Sequence, residues 1–219
     1  MFALISFHPK KETNLIILNR ELKKSLSKLK TLYALLERQT EKFKKISGLE
    51  CIQGCGICCE KDEIEASVLE FLPLAIELWK NGEALIYLEI LLYLPEDSRC
   101  VFYRKNEETN IGGCGCYPYR GMICRLFGFS ALPDKNGKLR LVTCNAIKSA
   151  NPDKTAKAQD LIDNGFPVPV MSSFANELVN INPALGFARY PLNQAIRLAI
   201  EYIGFIIELN GKYKPDMGK

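Results

Sequence analysis

Histidine is almost missing from this chain: one residue, His8, in 219. That scarcity excludes zinc fingers built from two cysteines and two histidines, and it excludes histidine-ligated catalytic zinc. Any strong site for a soft metal must be built from thiolates, with carboxylates as the other anionic donors. His8 itself reads as a surface residue near a terminus. Long apolar runs are missing too. The richest, "ALIYLEILLYLP", is shorter than the roughly 18 uninterrupted apolar residues of a membrane span and contains Glu89. The start, "MFALISFHPKK", has only a short apolar run before its charges, so no secretory leader is expected. The chain reads as cytoplasmic, with no membrane partner. No phosphate-binding glycine-rich loop, internal repeat or low-complexity segment occurs.

Excess charge is modest, +4 in all, although residues 1 to 50 carry eleven Lys/Arg against five Glu. These charges alternate in sign with few aromatics between them. They read as a solvated helix face, and a nucleic-acid partner is not expected.

What the chain has in plenty is cysteine. All nine lie between positions 51 and 144, as Cys51, Cys55, Cys58 and Cys59, then Cys100, Cys114, Cys116, Cys124 and Cys144. A chain of this length that is 47% hydrophobic buries an ordinary core without staples. The odd count would leave one thiol over in any complete disulfide set. In a reducing cytosol such clusters point to metal or redox chemistry before disulfides. Inert buried thiols would explain Cys100 or Cys144 alone, but not nine cysteines of which several adjoin glycine and charge.

The spacing narrows the chemistry. In "CIQGCGICCEKDE", Cys55 and Cys58 form a C-x2-C knuckle whose glycines let backbone N–H groups approach the sulfurs and offset thiolate charge. Adjacent Cys58 and Cys59 diverge in any regular backbone. They serve different sites, or one is not a ligand, and there are thiolates enough for two centres of four. Cys51-x3-Cys55-x2-Cys58 is also the spacing with which S-adenosylmethionine radical enzymes hold a cluster. Here Ile57 stands where those enzymes carry an aromatic, and positions 64 to 94 read as helix after helix rather than alternating strands and helices, so that match is set aside. A dithiol relay lacks the surrounding βαβ pattern.

Around the cysteines the pattern is helical. From about Asn14 to Ile46, Leu22, Leu26, Leu29, Tyr33, Leu36, Thr40 and Phe43 recur at spacings of four and three, a seam of about three heptads. It packs on helices of its own chain or pairs a homodimer. Residues 64 to 94 predict two helices broken at "NGE", with Pro73 in a first turn and Pro95 as a stop. Asn136-Gly137 predicts a hairpin turn. Helices are expected near 153 to 163, 171 to 180 and 191 to 209, the last with an apolar face that could receive the N-terminal helix.

The second cysteine group, with "CGCYPYRGMICRLF" and a final Cys144-Asn145, resembles the CxxCxxCC cysteine-cluster family, the YkgJ-type zinc- or iron-chelating proteins labelled iron-sulfur oxidoreductases. Over roughly residues 51 to 150, Cys51, Cys55, Cys58 and Cys59 match the family's cluster and Cys100 its lone cysteine. Cys114, Tyr117, Arg120, Cys124, Arg125 and Phe127 match its central block. Three departures stand out: an x3 first gap, Gly121 in place of a proline, and Cys116 in place of an aliphatic residue. The resemblance implies eight thiolate ligands, Cys51, Cys55, Cys58, Cys59, Cys100, Cys114, Cys124 and Cys144, and leaves Cys116 without a role. Four thiolates on zinc, or on a cubane cluster, leave net negative charge that is costly to bury. Arg120 and Arg125 flank Cys124 and would compensate it; the competing reading pairs them with surface acids such as Glu60 or Asp62. Tyr117, Tyr119 and Phe127 are expected as core around the site.

The expectation is a mainly α fold in a single domain over 1 to 219. A long helix over 14 to 46 precedes a cysteine-rich metal-binding region over 51 to 150 with a small β-hairpin, and a helical region follows over 151 to 219. The function expected is zinc or iron binding, with an iron-sulfur cluster and an oxidoreductase or electron-transfer role, a protein or electron partner, and no assigned catalytic residue. The alternative is a structural four-cysteine zinc module without catalysis.

Overall fold

The structure is a computed structural model that describes residues 19–51, 55–60, 63–95, 97–105 and 112–210. His8, the first residues of the expected N-terminal helix, the side chain of Glu60 and Asp62 lie outside the described residues. Among the described residues the chain is mainly α, with ten α-helices and three two-stranded antiparallel sheets.

Helix α1 runs Arg20–Ser47. It starts where the Asn19 side chain accepts the Leu22 N–H at 2.8 Å and ends where Gly48 takes a left-handed φ of 76°. Leu22, Leu29, Tyr33, Leu36, Thr40 and Phe43 of the heptad seam are buried, and Leu26 is partly buried. These residues face the chain's own elements, because α1 packs on helices introduced below as α3, α5, α7 and α8.

After the cysteine loop come α2 (Ile57–Glu60), β1 (Glu65–Ala66) and α3 (Val68–Lys80). Pro73 lies inside α3 rather than in its first turn. The helix begins earlier because the Glu70 carboxylate reaches back to the Ser67 backbone N–H at 2.9 Å, a capping box that sets the start at Val68. Gly82, at φ 72°, turns the chain into α4 (Ala84–Tyr93), which ends before Pro95. Helix α4 is the apolar run noted above. It turns Ala84, Tyr87 and Leu91 inward and Leu85, Ile86, Leu92 and Tyr93 outward, and no helix among the described residues is long and apolar enough to cross a membrane.

The central region holds β2 (Tyr103–Lys105) paired with β3 (Gly112–Cys114), a single 3-10 turn (Tyr117–Tyr119) and α5 (Met122–Leu126). The expected hairpin follows as β4 (Ser130–Pro133) and β5 (Leu139–Val142), with Gly137 at φ 79°. Its turn is tied by Asp134 Oδ1, which accepts the N–H groups of Asn136 and Lys138 at 2.9 and 3.0 Å. Then come α6 (Asn145–Ala150), α7 (Pro152–Asp163), α8 (Met171–Ile181), α9 (Pro183–Gly186), β6 (Tyr190–Pro191) and α10 (Leu192–Leu209). β6 returns to pair with β1, which seats α10 beside α3.

Two hydrophobic clusters result. The larger gathers α3, α4, α10, α8 and the first two thirds of α1. The smaller gathers Phe43, Leu49, Ala131, Ile147, Ala158, Ile162 and Val168. Helix α1, about 42 Å long at 1.5 Å per residue, reaches from one to the other. The apolar face of α10 is filled by α3 and α4 rather than by α1, because Trp79 of α3 lies across it and donates its indole N–H to the Ile200 carbonyl at 2.8 Å. Gly204 makes room for that ring: a Cβ there would stand 2.6 Å from Trp79 Cζ2.

Gly204→Val therefore overpacks the α3–α10 seam and costs about 1–3 kcal/mol. Thermal melting should show the midpoint falling by several degrees, at about 2–4 °C per kcal/mol for a chain of this size, whereas Gly137→Asn at the exposed hairpin turn should leave it nearly unchanged.

Candidate metal centre

The cysteines come from five short, irregular segments, so their positions depend on ties between those segments. Cys58 and Cys59 ride on α2, whose turn is closed by the Cys59 N–H donating to the Gly56 carbonyl at 2.7 Å. The Cys100 N–H donates in turn to the Cys59 carbonyl at 3.0 Å, fastening the lone cysteine to the cluster. Cys114 ends β3 and stands opposite Tyr103 of β2. Cys116 precedes the 3-10 turn, Cys124 sits in α5, and Cys144 caps α6, its Sγ accepting the Ile147 N–H at 3.4 Å.

Eight thiols, Cys51, Cys55, Cys58, Cys59, Cys100, Cys114, Cys116 and Cys124, line one cavity of about 510 Å³. Cys144 lies outside that lining and packs against the smaller cluster. The sulfurs meet in pairs. Hydrogen bonds link the thiol of Cys51 with that of Cys55, Cys58 with Cys59, and Cys59 with Cys114, and Cys114 Sγ lies 3.7 Å from Cys116 Sγ. Among the described residues no three Cys, Asp, Glu or His side chains are already closed on a single ion. Nor do the described residues of the cavity lining include a carboxylate or an imidazole. The donor set is thiol alone, which fits zinc or iron and does not fit magnesium or calcium.

Neighbouring thiols along the chain of contacts are shifted in opposite directions. The hydrogen bond from Cys59 lowers the Cys58 thiol to about 7, against burial that opposes it. Hydrogen bonds from Cys116 and then Cys59 lower Cys114 to about 3. Their partners, Cys59 and Cys116, are pushed up. Burial pushes Cys100 to about 12, and burial followed by the charge on Cys55 pushes Cys51 to about 11. Burial also raises Cys124 well above the thiol range, helped by Cys100 and Glu70. For Cys51, Cys100 and Cys124 burial is the leading cause and neighbouring thiols add to it, because several thiolates cannot crowd into one partly desolvated space without a cation. A metal ion would displace the thiol protons, and affinity must rise with pH.

The two arginines expected to offset this charge are placed differently. Arg120 lines the cavity, stacks 3.4 Å over the Tyr117 ring and helps to lower both Cys58 and Cys114. The Arg125 side chain pairs with Glu37 of α1, donates to the Arg120 and Pro118 carbonyls at 2.9 and 2.8 Å, and lies over Tyr33. Its guanidinium is committed to joining α5 to α1. Lys44, from the last turn of α1, also lines the cavity. Of the aromatics expected as core, Tyr117 is exposed, while Phe127 lines the cavity.

Several residues that hold the site escaped the sequence reading. Tyr103 packs its ring against Gly56 and Gly112; a Cβ on either would come within 2.5 or 2.1 Å of it. The glycines beside the cysteines thus admit an aromatic clamp as well as backbone turns. Gly121, where the family carries proline, has no room for a Cβ either, because Phe71 Cζ would be 2.8 Å away. Asn193 of α10 accepts the Val101 N–H at 2.9 Å and donates to the Ser98 and Arg99 carbonyls at 3.2 and 3.1 Å, fixing the loop of Cys100. Glu70, wholly buried, accepts the Ile123 N–H at 3.0 Å beside Cys124 and pairs with Arg189 at 3.0 Å. No local signal marks Asn193, whereas Ser67-x-x-Glu70 is a legible capping box.

A helical scaffold that turns eight thiols onto one cavity defines a cysteine-cluster metal-binding protein. Residues 50–151 match the model of the CxxCxxCC family, described as "putative zinc- or iron-chelating domain", and over that segment the chain is similar to this family. No curated protein and no solved structure matches the chain.

In protein stripped of metal under reductant, iodoacetamide at pH 7 should label Cys58 ahead of Cys100, since the lowered group is substantially thiolate there and the raised one is not. Peptide mapping checks this order, and Cys100 labelled first would contradict it.

Proposed function

We propose that the cavity holds iron as an iron-sulfur cluster and that the protein works by accepting and passing electrons. The observation that carries this reading is the number of sulfurs around one space: eight thiols border about 510 Å³, more donors and more room than one closed four-thiolate ion uses. When bound, such a cluster supplies single-electron redox chemistry. The chain's own residues would do the rest. Thiols from α2, β3, α5 and the Cys100 loop supply the ligands. Arg120 offsets their charge and tunes the centre, as hydrogen bonds and burial do around such sulfurs. Cys51, exposed at the rim, marks the side from which an electron partner would approach.

A second reading, one or two closed zinc sites that staple the central segments, is favoured by one distance. The 3.7 Å between Cys114 and Cys116 Sγ equals, within a tenth of an ångström, the edge of a sulfur tetrahedron about zinc. In that case the metal supplies folding free energy, on the order of 10–16 kcal/mol per site in small zinc peptides, and no chemistry.

The test is elemental and sulfide analysis with an absorption spectrum on protein purified without oxygen. Iron with acid-labile sulfide and a broad visible band is expected; colourless protein with stoichiometric zinc would overturn the redox reading. Under either metal, Cys58→Ser should lower metal content and melting temperature together, measured on the same preparation.

A further inference from the structure

Cys116 is where this chain departs from its family, and the sequence leaves it without a role. The structure gives it a distinct setting. It is 4% exposed and packed into the larger core, yet it lines the thiol cavity. Its Sγ stands 3.7 Å from that of Cys114, two residues away, across the C-x-C turn where Gly115 donates its N–H to the Phe102 carbonyl at 2.8 Å. A Cβ at Gly115 would press on Arg104 and on that carbonyl at 3.0 and 3.1 Å, so the turn is held tight.

Two sulfurs in that relation have few uses. A disulfide would need about 2.05 Å between them. Two thiolates bound to the same tetrahedral ion at about 2.3 Å stand about 3.8 Å apart, which is the separation the turn already imposes. We infer that Cys116 is a metal ligand in this protein, sharing one zinc or iron ion with Cys114, in addition to the eight cysteines that match the family pattern.

The inference rests on the reading of the cavity as a metal centre. It also bears on how nine thiols divide. Cys116 packs in the larger core with Cys100, Cys114 and Cys124 against it, and these form an inner group. Cys51, which is exposed, with Cys55, and Cys144, which packs against the smaller cluster, form an outer group, with Cys58 and Cys59 of α2 between the two. With Cys116 counted, the inner group can complete four thiolates on its own, without drawing on the outer one.

The test is the cobalt-reconstituted full-length chain compared with Cys116→Val and Cys51→Ser. Valine keeps the apolar volume and is of the aliphatic type the family carries there, and circular dichroism checks that the variant folds. Cobalt content is measured together with the intensity of the sulfur-to-cobalt charge-transfer band and the sulfur coordination number from X-ray absorption. Cys116→Val is expected either to lose one cobalt per chain or to keep it with one sulfur fewer, and the charge-transfer band should weaken accordingly. Cys51→Ser is expected to leave the inner cobalt unchanged. A folded Cys116→Val that keeps the full cobalt content and sulfur number would overturn the role of Cys116 while leaving the metal centre standing. A wild-type chain that binds neither cobalt, zinc nor iron would overturn the metal reading and the inference with it.

Discussion

A single buried carboxylate, Glu70, ties the scaffold to the thiols. Its oxygens accept the backbone N–H and hydroxyl of Ser67, the N–H of Ile123 and the guanidinium of Arg189, while its own backbone carbonyl accepts the Tyr33 hydroxyl at 3.0 Å. A carboxylate taken wholly out of water is tolerated only when its charge is paired and its lone pairs are occupied. Here the four partners come from the start of α3, from α5 beside Cys124, from the segment before β6, and from α1. Burial and the charge of Glu70 also hold the Tyr33 phenol far above its ordinary range, so the hydroxyl remains a donor. This group, with the Arg125–Glu37 pair, sets the place of Cys124 relative to the helical frame.

The thiol region is organised on a different principle. Its elements are three to six residues long and could not persist alone, since short helices and isolated hairpins are marginal in water. They are held by contacts reaching in from outside: Asn193 on the Cys100 loop, Tyr103 between two glycines, and Arg125 between α5 and Glu37. The sulfurs are thereby gathered in pairs but not closed, and the remaining convergence is left to a metal ion. Rigid frame and unfinished centre are complementary: the frame sets which thiols can meet, and the charge of the ion is what lets them meet ionised.

Much of the frame is legible in the sequence because it rests on local signals. The heptad seam gives α1, Gly82 and Gly137 give two turns, and periodic apolar residues give α7, α8 and α10. Local signals fail where a partner is distant. The apolar face of α10 looks suited to α1, but Trp79 and the absent side chain of Gly204 decide the pairing, and they lie far apart in sequence. Pro73 looks like a first-turn residue until the Ser67–Glu70 box is recognised. At the site, the resemblance to the cysteine-cluster family points to eight thiols, seven of which line the cavity, but neither it nor the spacing says anything of Asn193, Lys44 or the depth of Cys116. Arg120 and Arg125 look equivalent in the sequence and are not, because Glu37 engages only the second.

The clamp from Asn193 onto the Cys100 loop carries a consequence for the order of events in synthesis. A chain grows from its N-terminus, and domains take shape as their segments emerge. All nine thiols leave the ribosome before residue 193 does, so for the whole length from Cys144 to Asn193 they exist without the helix that fixes their central loop. The nascent protein therefore passes through a stage in which its metal-binding chemistry is already exposed and its geometry is not yet decided. Helix α10, which contributes no cysteine, fixes the Cys100 loop only after every thiol has been made.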